Sequence, residues 1–396
     1  MTAERIAVVS AVRTPIGRYM GGFSTLAAPE LGVWAAKGAL KAAHVDPADI
    51  GVAYFGQGRQ AGSKPNPARQ VTWGAGLPQE CTATTVNIAC ASGMKSLQMA
   101  ADDLRLGRAS VAIAGGMESM TRVPFMLDRM REGYRLGHAK VIDGMYHDGF
   151  QCPLSGMIMG ETAELLAQEM GISREEQDGF ALRSQQKAAD AWEAGRFADE
   201  LVPVTVSSRK GDIVIEKDEH LRPDTTLEKL AKLPAVFAKE NGTVTPGNAS
   251  GITDGAAALL LMTETEVKRR GLQPLAYFLD SQVSGTDPKR MGLGPVPATQ
   301  QLFARNDWSV EDFGLFEVNE AFAAQVLACQ LQMPFPEELV NVNGGSIALG
   351  HPIGCTGARI VVTLLHEMKR RGVKRGLATL CVSGGLGMTS AWELAD

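Results

Sequence analysis

The stretch "VNIACASGMKSLQMAADDLRLG", residues 86–107, sets an apolar run against a run with helical spacing and puts Cys90 between them, followed by Ser92 and Gly93. A strand that feeds straight into a helix is the building unit of an α/β fold. The same alternation extends in both directions. "IAVVSAVRTP" (6–15) is an apolar run stopped by proline and reads as a buried strand. "APELGVWAAKGALKAAHV" (28–45) has helical spacing through Leu31, Trp34 and Leu40, and "VAYFGQ" (52–57) is another short strand. "TATTVNIA" precedes Cys90, and "ASVAIAGGMESM" (109–120) follows its helix. The pattern predicts a doubly wound α/β unit with a mostly parallel sheet.

Between about 120 and 250 the rhythm changes. "TRVPFMLDRMREGYRLGHAKVIDGMYHDGF" has no period. Residues 159–195 read as helices with turns at Gly171 and Gly195, and Ser173 with Glu176 fits a capping box. "VPVTVSSRKGDIVIEKDE" reads as a hairpin around Lys210–Gly211, so this region is expected to be an insertion. The alternation then resumes in "GAAALLLMTETEVKRRG", "PLAYFLDSQVSG", "FGLFEVN", "EAFAAQVLACQLQ", "ELVNVN", "GARIVVTLLHEMKRRG" and "LATLCVSGGLGMTSAWEL". The pair "VNIACASG…AIAGGM" and "VNVNGGSI…CVSGGLG" echo each other, which is compatible with two related halves. The expected division is an N-terminal half over 1–120, an inserted domain over 121–250, a return to the first half over 251–275 and a C-terminal half over 276–396.

Composition narrows the function classes. With 396 residues, 45% hydrophobic and 21% charged, the chain can bury a large core without disulfides. Its net charge of −5 provides no global positive field for nucleic acid or an anionic membrane, and "GAAALLLM" is too short to span a bilayer. The six cysteines form no C-x-x-C pair and no metal-ligand spacing, so they are expected to be reduced thiols in a cytoplasmic setting. The N-terminus lacks a basic-then-apolar signal pattern. "GQGRQAG" (56–62) does not have the glycine spacing of a dinucleotide fingerprint, "GMIMG" reads as core, and "KRRGVKRG" as a solvated helix end.

Four reactive positions share one structural address, the carboxyl end of a strand: Cys90, Asn319 in "FEVNEAF", His351 in "NGGSIALGHPIGCTGAR" and Cys381 in "LATLC". A thiolate is the nucleophilic form of cysteine, and at an ordinary pKa of about 8.5 it needs a base such as His351. A second cysteine can move a proton in a different step. Taken singly, each residue has a plain structural reading as well: packing for a cysteine, a loop cap for His351 and a helix cap for Asn319–Glu320. Cys81, Cys152, Cys329 and Cys355 read as structural.

These segments resemble the thiolases, the acetyl-CoA acyltransferase family. The likeness is carried by "NIACASGMKSL", "NEAFAAQ", "NVNGGSIALGHPIGCTGAR" and "LCVSGGLG", and by "SAVRTPIG", "NPARQ", "MGETAE" and "GNASGITDGAA", in order and nearly end to end. The resemblance implies an α/β thiolase-like fold, two related βα halves in a five-layer arrangement with an inserted loop domain, assembled as a homodimer or homotetramer. It implies that Cys90 carries the acyl group, that His351 takes its proton and that Cys381 shuttles a proton at the α-carbon of acetyl-CoA or on CoA. Asn319 would hold a water that forms one oxyanion hole with His351, and the backbone N–H groups of Cys90 and Ser383 would form the other. Arg222 and Ser250 would contact CoA, and Ile158, Met159, Met291 and Phe322 would line the substrate pocket. The substrates implied are acetyl-CoA, 3-ketoacyl-CoA and CoA, with no metal or resident cofactor and a place in fatty acid metabolism. Three positions depart from the family pattern. Ser383 stands where glycine is usual and Thr253 where asparagine is commoner, and Ile158 replaces the histidine of short-chain biosynthetic members. The alternatives are a β-ketoacyl synthase-like condensing enzyme, which normally uses two histidines, and a non-catalytic CoA-binding scaffold.

Overall fold

The computed structural model describes residues 4–209 and 211–395. Nine principal strands are β1 (Ile6–Arg13), β2 (Val52–Gly56), β3 (Thr82–Val86), β4 (Val111–Ser119), β5 (Thr253–Thr263), β6 (Ala276–Gly285), β7 (Leu315–Val318), β8 (Arg375–Val382) and β9 (Leu386–Leu394). The principal helices are α1 (Ala28–Ala43), α2 (Pro67–Ala75), α3 (Ser92–Arg105), α4 (Met159–Met170), α5 (Arg174–Glu193), α6 (Pro295–Asn306), α7 (Ala323–Gln332) and α8 (Ile353–Arg371).

The strands run in the order β7-β8-β9-β6-β1-β5-β4-β2-β3. Each half repeats one plan. In the first, β2 lies parallel to β3 and β4, and antiparallel pairing then leads through β5 to β1. In the second, β7 is parallel to β8 and bridged in parallel by Val340, and antiparallel pairing leads through β9 to β6. The echo between "VNIA" and "VNVN" therefore falls on equivalent places. The halves join where Ile6–Val8 of β1 pairs antiparallel with Ala276–Phe278 of β6.

The sheet is thus not mostly parallel, which corrects the expectation from alternation. Apolar runs encode burial but not strand direction. A parallel neighbour needs a crossover, whereas β8 and β9 are joined by a tight turn whose residues Gly384 and Gly385 have φ of +91° and +83°. The run Gly255–Met262 is apolar throughout because β5 is central and covered on both faces. Leu259 and Leu261 enter one core and Leu260 and Met262 the other, the period of two that a strand imposes.

Five layers result. Helices α1 and α2 cover the outer face of the first half, and α6 and α7 that of the second. Helices α3 and α8 fill the middle, where Met94, Leu97, Val361 and Leu365 share one core with strands of both halves. The insertion carries α4, α5 and the antiparallel pair Val204–Ser208 with Gly211–Ile215; Lys210, expected at that turn, lies outside the described residues. The capping box of α5 is present: Glu176 N–H donates to Ser173 Oγ and Ser173 N–H to the Glu176 carboxylate. Arg13, fully buried at the end of β1, fastens the insertion through Glu200 and Asp218.

The two central helices meet at their first turns with no room for side chains. A Cβ on Gly93 would stand 2.7 Å from Ala358 N, and one on Gly357 would stand 2.6 Å from Met94 N. A Cβ on Gly354 would lie 2.6 Å from both Gln57 Cα and Met117 O, all backbone and none able to swing away. Gly354→Ala is expected to destabilise the protein by about 1–3 kcal/mol or more, with a matching loss of thiol reactivity at Cys90. Urea denaturation followed by far-UV circular dichroism measures the first and alkylation of native protein the second.

Candidate active site

Cys90 does not end a strand directly. β3 stops at Val86, and Cys90 sits in the single 3₁₀ turn Ala89–Ala91 that opens onto α3. Ala89 holds φ of +44°, a left-handed conformation that costs a non-glycine residue energy. Its neighbours hold it there: Ala89 N–H donates to Asn87 Oδ1 at 3.0 Å, and the Ser92 hydroxyl donates to Ala89 O at 2.6 Å while accepting from Ile88 N–H at 3.0 Å. Ser92 is thus the clamp on the turn that presents the thiol.

His351 precedes α8, and the contact between the two helix starts brings it beside Cys90. Both line one cavity of about 690 Å³ together with Cys381 and Ser383. Ile158, Met159, Met291 and Phe322 wall the same space, so "GMIMG" lines the site as well as packing in the core. Ser250, His220 and Arg222 stand along it too. Asn319 alone among the expected residues is not a wall residue. It is buried, and it does not cap a helix, since α7 begins only at Ala323.

The tautomer of His351 follows from its partner. The Thr356 hydroxyl donates its proton to Pro352 O at 3.0 Å, so at 2.7 Å from His351 Nδ1 it can only accept. Nδ1 therefore carries the hydrogen, and Nε2 is left with a lone pair, the form a base requires. Burial, aided by Arg359 and Arg59, holds His351 neutral by bringing its pKa down to about 3. Asn319 is oriented in a similar way. Its Oδ1 accepts from Ser346 Oγ at 2.6 Å, and Ser346 accepts from Arg359 Nη2 at 2.7 Å. This leaves Nδ2 as a buried donor with no partner among the described residues, as an oxyanion or its water would need.

Burial pushes the Cys90 thiol up, against the Arg59 charge and the backbone N–H groups of Ser383 and Cys90 that face the sulfur; Glu118 adds to the rise. Ser383 is not at positive φ. That requirement falls on Gly384 and Gly385, so serine keeps the N–H at no conformational cost. Burial raises Cys381 well above an ordinary thiol, with Cys90 and Cys329 adding to it. The two cysteines are therefore neutral at rest, and each can lose a proton only to a partner. Cys329 and Cys355 are pushed up to about 12 by burial and do not line the cavity. Burial also pulls Cys152 up, but the Ser155 hydroxyl and the N–H groups of Ser155, Leu154 and Gly384 outweigh it, so its thiol lies below the ordinary value. Thr253 is fully buried, its hydroxyl near Gly251 O at 3.4 Å.

Sequence reasoning passed over Thr356, Ser346, Arg359 and Glu118. Thr356 lies five residues beyond His351 in "HPIGCT". That spacing crosses a proline into a new helix and has no periodic signature. Glu118 accepts from the N–H groups of Gly58, Arg59 and Gly354 and so ties the two halves beneath the site, a link of 236 residues that no local pattern announces.

Comparison with known proteins identifies the family. Residues 6–265 match the thiolase N-terminal domain and residues 272–393 the thiolase C-terminal domain. An acetyl-CoA acetyltransferase of Chromobacterium violaceum is 49% identical over 389 residues, covering 98% of this chain and 99% of the relative. One from Rhizobium meliloti is 48% identical and covers 99% and 100%. Among solved structures, the Bacillus anthracis acetyl-CoA acetyltransferase superposes with a TM-score of 0.97 at 44% identity, covering 100% of this chain and 99% of that one. Human mitochondrial 3-ketoacyl-CoA thiolase gives 0.96 at 40% identity, covering 100% of both. Two matched domains on a duplicated α/β frame define the class, and the chain belongs to the thiolase family.

Thr356→Val keeps the side-chain shape but takes away the acceptor of the His351 proton. We expect Cys90 acetylation by acetyl-CoA to slow by roughly tenfold or more, with Thr356→Ser retaining most of the rate. Rapid-quench mass spectrometry of the intact protein gives both rates.

Proposed function

We propose that the protein is a thiolase that joins an acyl-CoA to acetyl-CoA and, in reverse, cleaves 3-ketoacyl-CoA with CoA, acetoacetyl-CoA included. The observation that carries this reading is the convergence of Cys90, His351 and Cys381 on one cavity, with the Ser383 N–H facing the Cys90 sulfur. The Cys90 sulfur attacks the thioester carbonyl as its proton passes to His351 Nε2. The carbonyl oxygen, negative in the transition state, lies against backbone N–H donors, each worth about a hundredfold or more in rate. The C–S bond to CoA breaks, and the proton on His351 neutralises the departing thiolate. In the second half, the Cys381 thiol passes its proton to His351 Nε2, and the resulting thiolate takes a proton from the α-carbon of acetyl-CoA, whose oxygen is held by the His351 Nε2–H and the Asn319 side. The carbanion attacks the acyl-cysteine carbonyl, the bond to the Cys90 sulfur breaks, and the Nε2 proton of His351 returns to that sulfur. Acyl carriage and α-proton removal overlap in time, so two cysteines are needed. Binding both thioesters in one cavity also removes much of the entropic cost of their encounter.

A β-ketoacyl synthase is disfavoured because a cysteine, Cys381, occupies the second proton-transfer position where that class normally uses a histidine. The chemistry needs no metal or resident cofactor, since CoA supplies the thiol. Arg222, Ser250 and the second, smaller cavity lined by Arg222 and Lys229 suit the nucleotide end of CoA. The human 3-ketoacyl-CoA thiolase matched here has also been solved in complex with CoA. We place the protein in the cytoplasm and in fatty acid metabolism, without nucleic-acid or membrane partners. No described helix is long and apolar enough to cross a bilayer. We also propose a homodimer or homotetramer. β3 pairs with β2 alone among the described strands, and Trp73 of the neighbouring α2 is exposed, a free edge that a second copy can cover.

Cys90→Ala should lose both the acetyl adduct and all turnover. Cys381→Ser should still acetylate on Cys90 while losing most condensation. Peptide mapping and a coupled assay separate the two steps, and condensation at wild-type rate in Cys381→Ser would remove Cys381 from the mechanism. Ile158 presents an apolar surface to the acyl chain, where each added methylene contributes up to about 0.8 kcal/mol, or about fourfold in specificity. We therefore expect kcat/KM for thiolysis of 3-ketohexanoyl-CoA to equal or exceed that for acetoacetyl-CoA, and Ile158→His to shift preference toward the shorter substrate. A steep fall from four to six carbons in the wild type is the contrary result.

A further inference from the structure

One segment noted in the sequence, "GQGRQAG", has no part in the chemistry above, yet it delivers a cation to the site. Arg59 leaves the end of β2 and lines the same cavity as Cys90 and His351, although it is only 7% exposed. The hydrogen bonds of its guanidinium go to carbonyl oxygens and not to a carboxylate: Gly149 O at 2.7 Å and Gly58 O at 3.4 Å. Nε is buried without a partner among the described residues, and the group lies across Gly149, where a Cβ would meet Nε at 2.7 Å. Gly58 O also accepts from Asn87 Nδ2 at 3.2 Å, so Arg59 and the strained turn that presents Cys90 hang on one carbonyl. The buried carboxylate of Glu118 feels the Arg59 charge through space, but its oxygens are directed at backbone N–H groups and none hydrogen-bonds the guanidinium. A buried cation with no carboxylate hydrogen-bonded to it is expensive to keep. Its charge remains available to an anion that forms nearby during the reaction.

We propose that Arg59 is the electrostatic partner of Cys90, acting through the sulfur to stabilise its thiolate. The inference rests on the reading of Cys90 as nucleophile. The charges that act on the sulfur are Arg59 from the β2 loop and Glu118 from β4, Cys381 of β8 is coupled to it, and His351 before α8 and Tyr146 of the insertion line the same cavity. Of these only Arg59 is a permanent cation, and Glu118 opposes it. The same charge disfavours the imidazolium form of His351. Arg59 therefore eases the proton off Cys90 without letting it rest on His351, which makes the imidazolium a stronger acid toward the departing CoA thiolate. Gly149 belongs to the same device, because only a residue without a Cβ lets the guanidinium lie where it does.

The test is alkylation of the native protein with iodoacetamide between pH 5.5 and 10. The Cys90 sulfur forms a bond to the reagent's methylene carbon as iodide leaves, and the adduct is quantified on the Cys90 peptide. Arg59→Leu and Arg59→Gln should move the midpoint of the rate profile upward by about one pH unit. The rate at pH 7 should then fall roughly tenfold, whereas Arg59→Lys should stay close to the wild type. An unchanged midpoint in both neutral variants overturns the proposal, as does a lysine variant displaced as far as the neutral ones, which would assign Arg59 to packing. Because alkylation consumes no acyl-CoA, this result is separate from the acetyl-adduct experiment. A protein that alkylates as expected but never acetylates would refute the thiolase reading and leave the Arg59–Cys90 pairing intact.

Discussion

The site exists because two helices touch backbone to backbone. Gly93 of α3 and Gly354 and Gly357 of α8 occupy positions where any side chain would meet main-chain atoms. Dispersion and burial hold the contact, and its closeness sets how far Cys90 stands from His351. Both functional residues lie just before the first turn of these helices, so two positive dipole ends point toward the region where thiolate and oxyanion charge develops. Additional bulk at this contact would push the nucleophile and its base apart.

Around that contact, buried carboxylates act as fasteners. Glu118 takes three backbone N–H groups, and Glu320 takes the Ser184 hydroxyl, the Asn341 amide and the Ile347 N–H. Glu317 is pushed up to about 8 by burial, against the Arg359 charge. Arg359 in turn holds Ser346, and Ser346 sets the amide of Asn319. Burying so many ionisable groups is a weak route to stability. They do give the loops on top of the sheet a single conformation, and a reaction that depends on the direction of a lone pair or an N–H needs that.

Much of this was readable in the chain. Alternating apolar runs gave the strands and helices, and the resemblance carried Cys90, His351, Cys381, Ser250 and Arg222 to their places along one cavity. Strand direction was not readable, because Leu259 and Leu260 are equally apolar whichever way their neighbours run. The supporting residues were hidden for a related reason. Thr356, Ser346 and Glu118 matter through partners set by tertiary contact, and their own residue types are unremarkable. Arg59 was visible as a residue but had no meaning until the fold placed it beside the thiol. The departure at position 383 raised a question about backbone conformation that only the dihedral angles could answer, and Ser383 proves to be outside the left-handed region.

The pairing of β1 has a consequence for how the protein is made. β1, the earliest strand of this sheet, lies between β5 and β6, so neither neighbour exists until residues 253–285 have emerged. At roughly 5–20 residues per second, the apolar segment from Ile6 to Val12 waits about 12–50 seconds for its first partner. Until then it is an unpaired, aggregation-prone edge on a nascent chain. The outer strands β2, β3 and β4 can pair well before then, so the first half closes last at its centre, and the waiting segment is the one a holdase at the ribosome would have to cover.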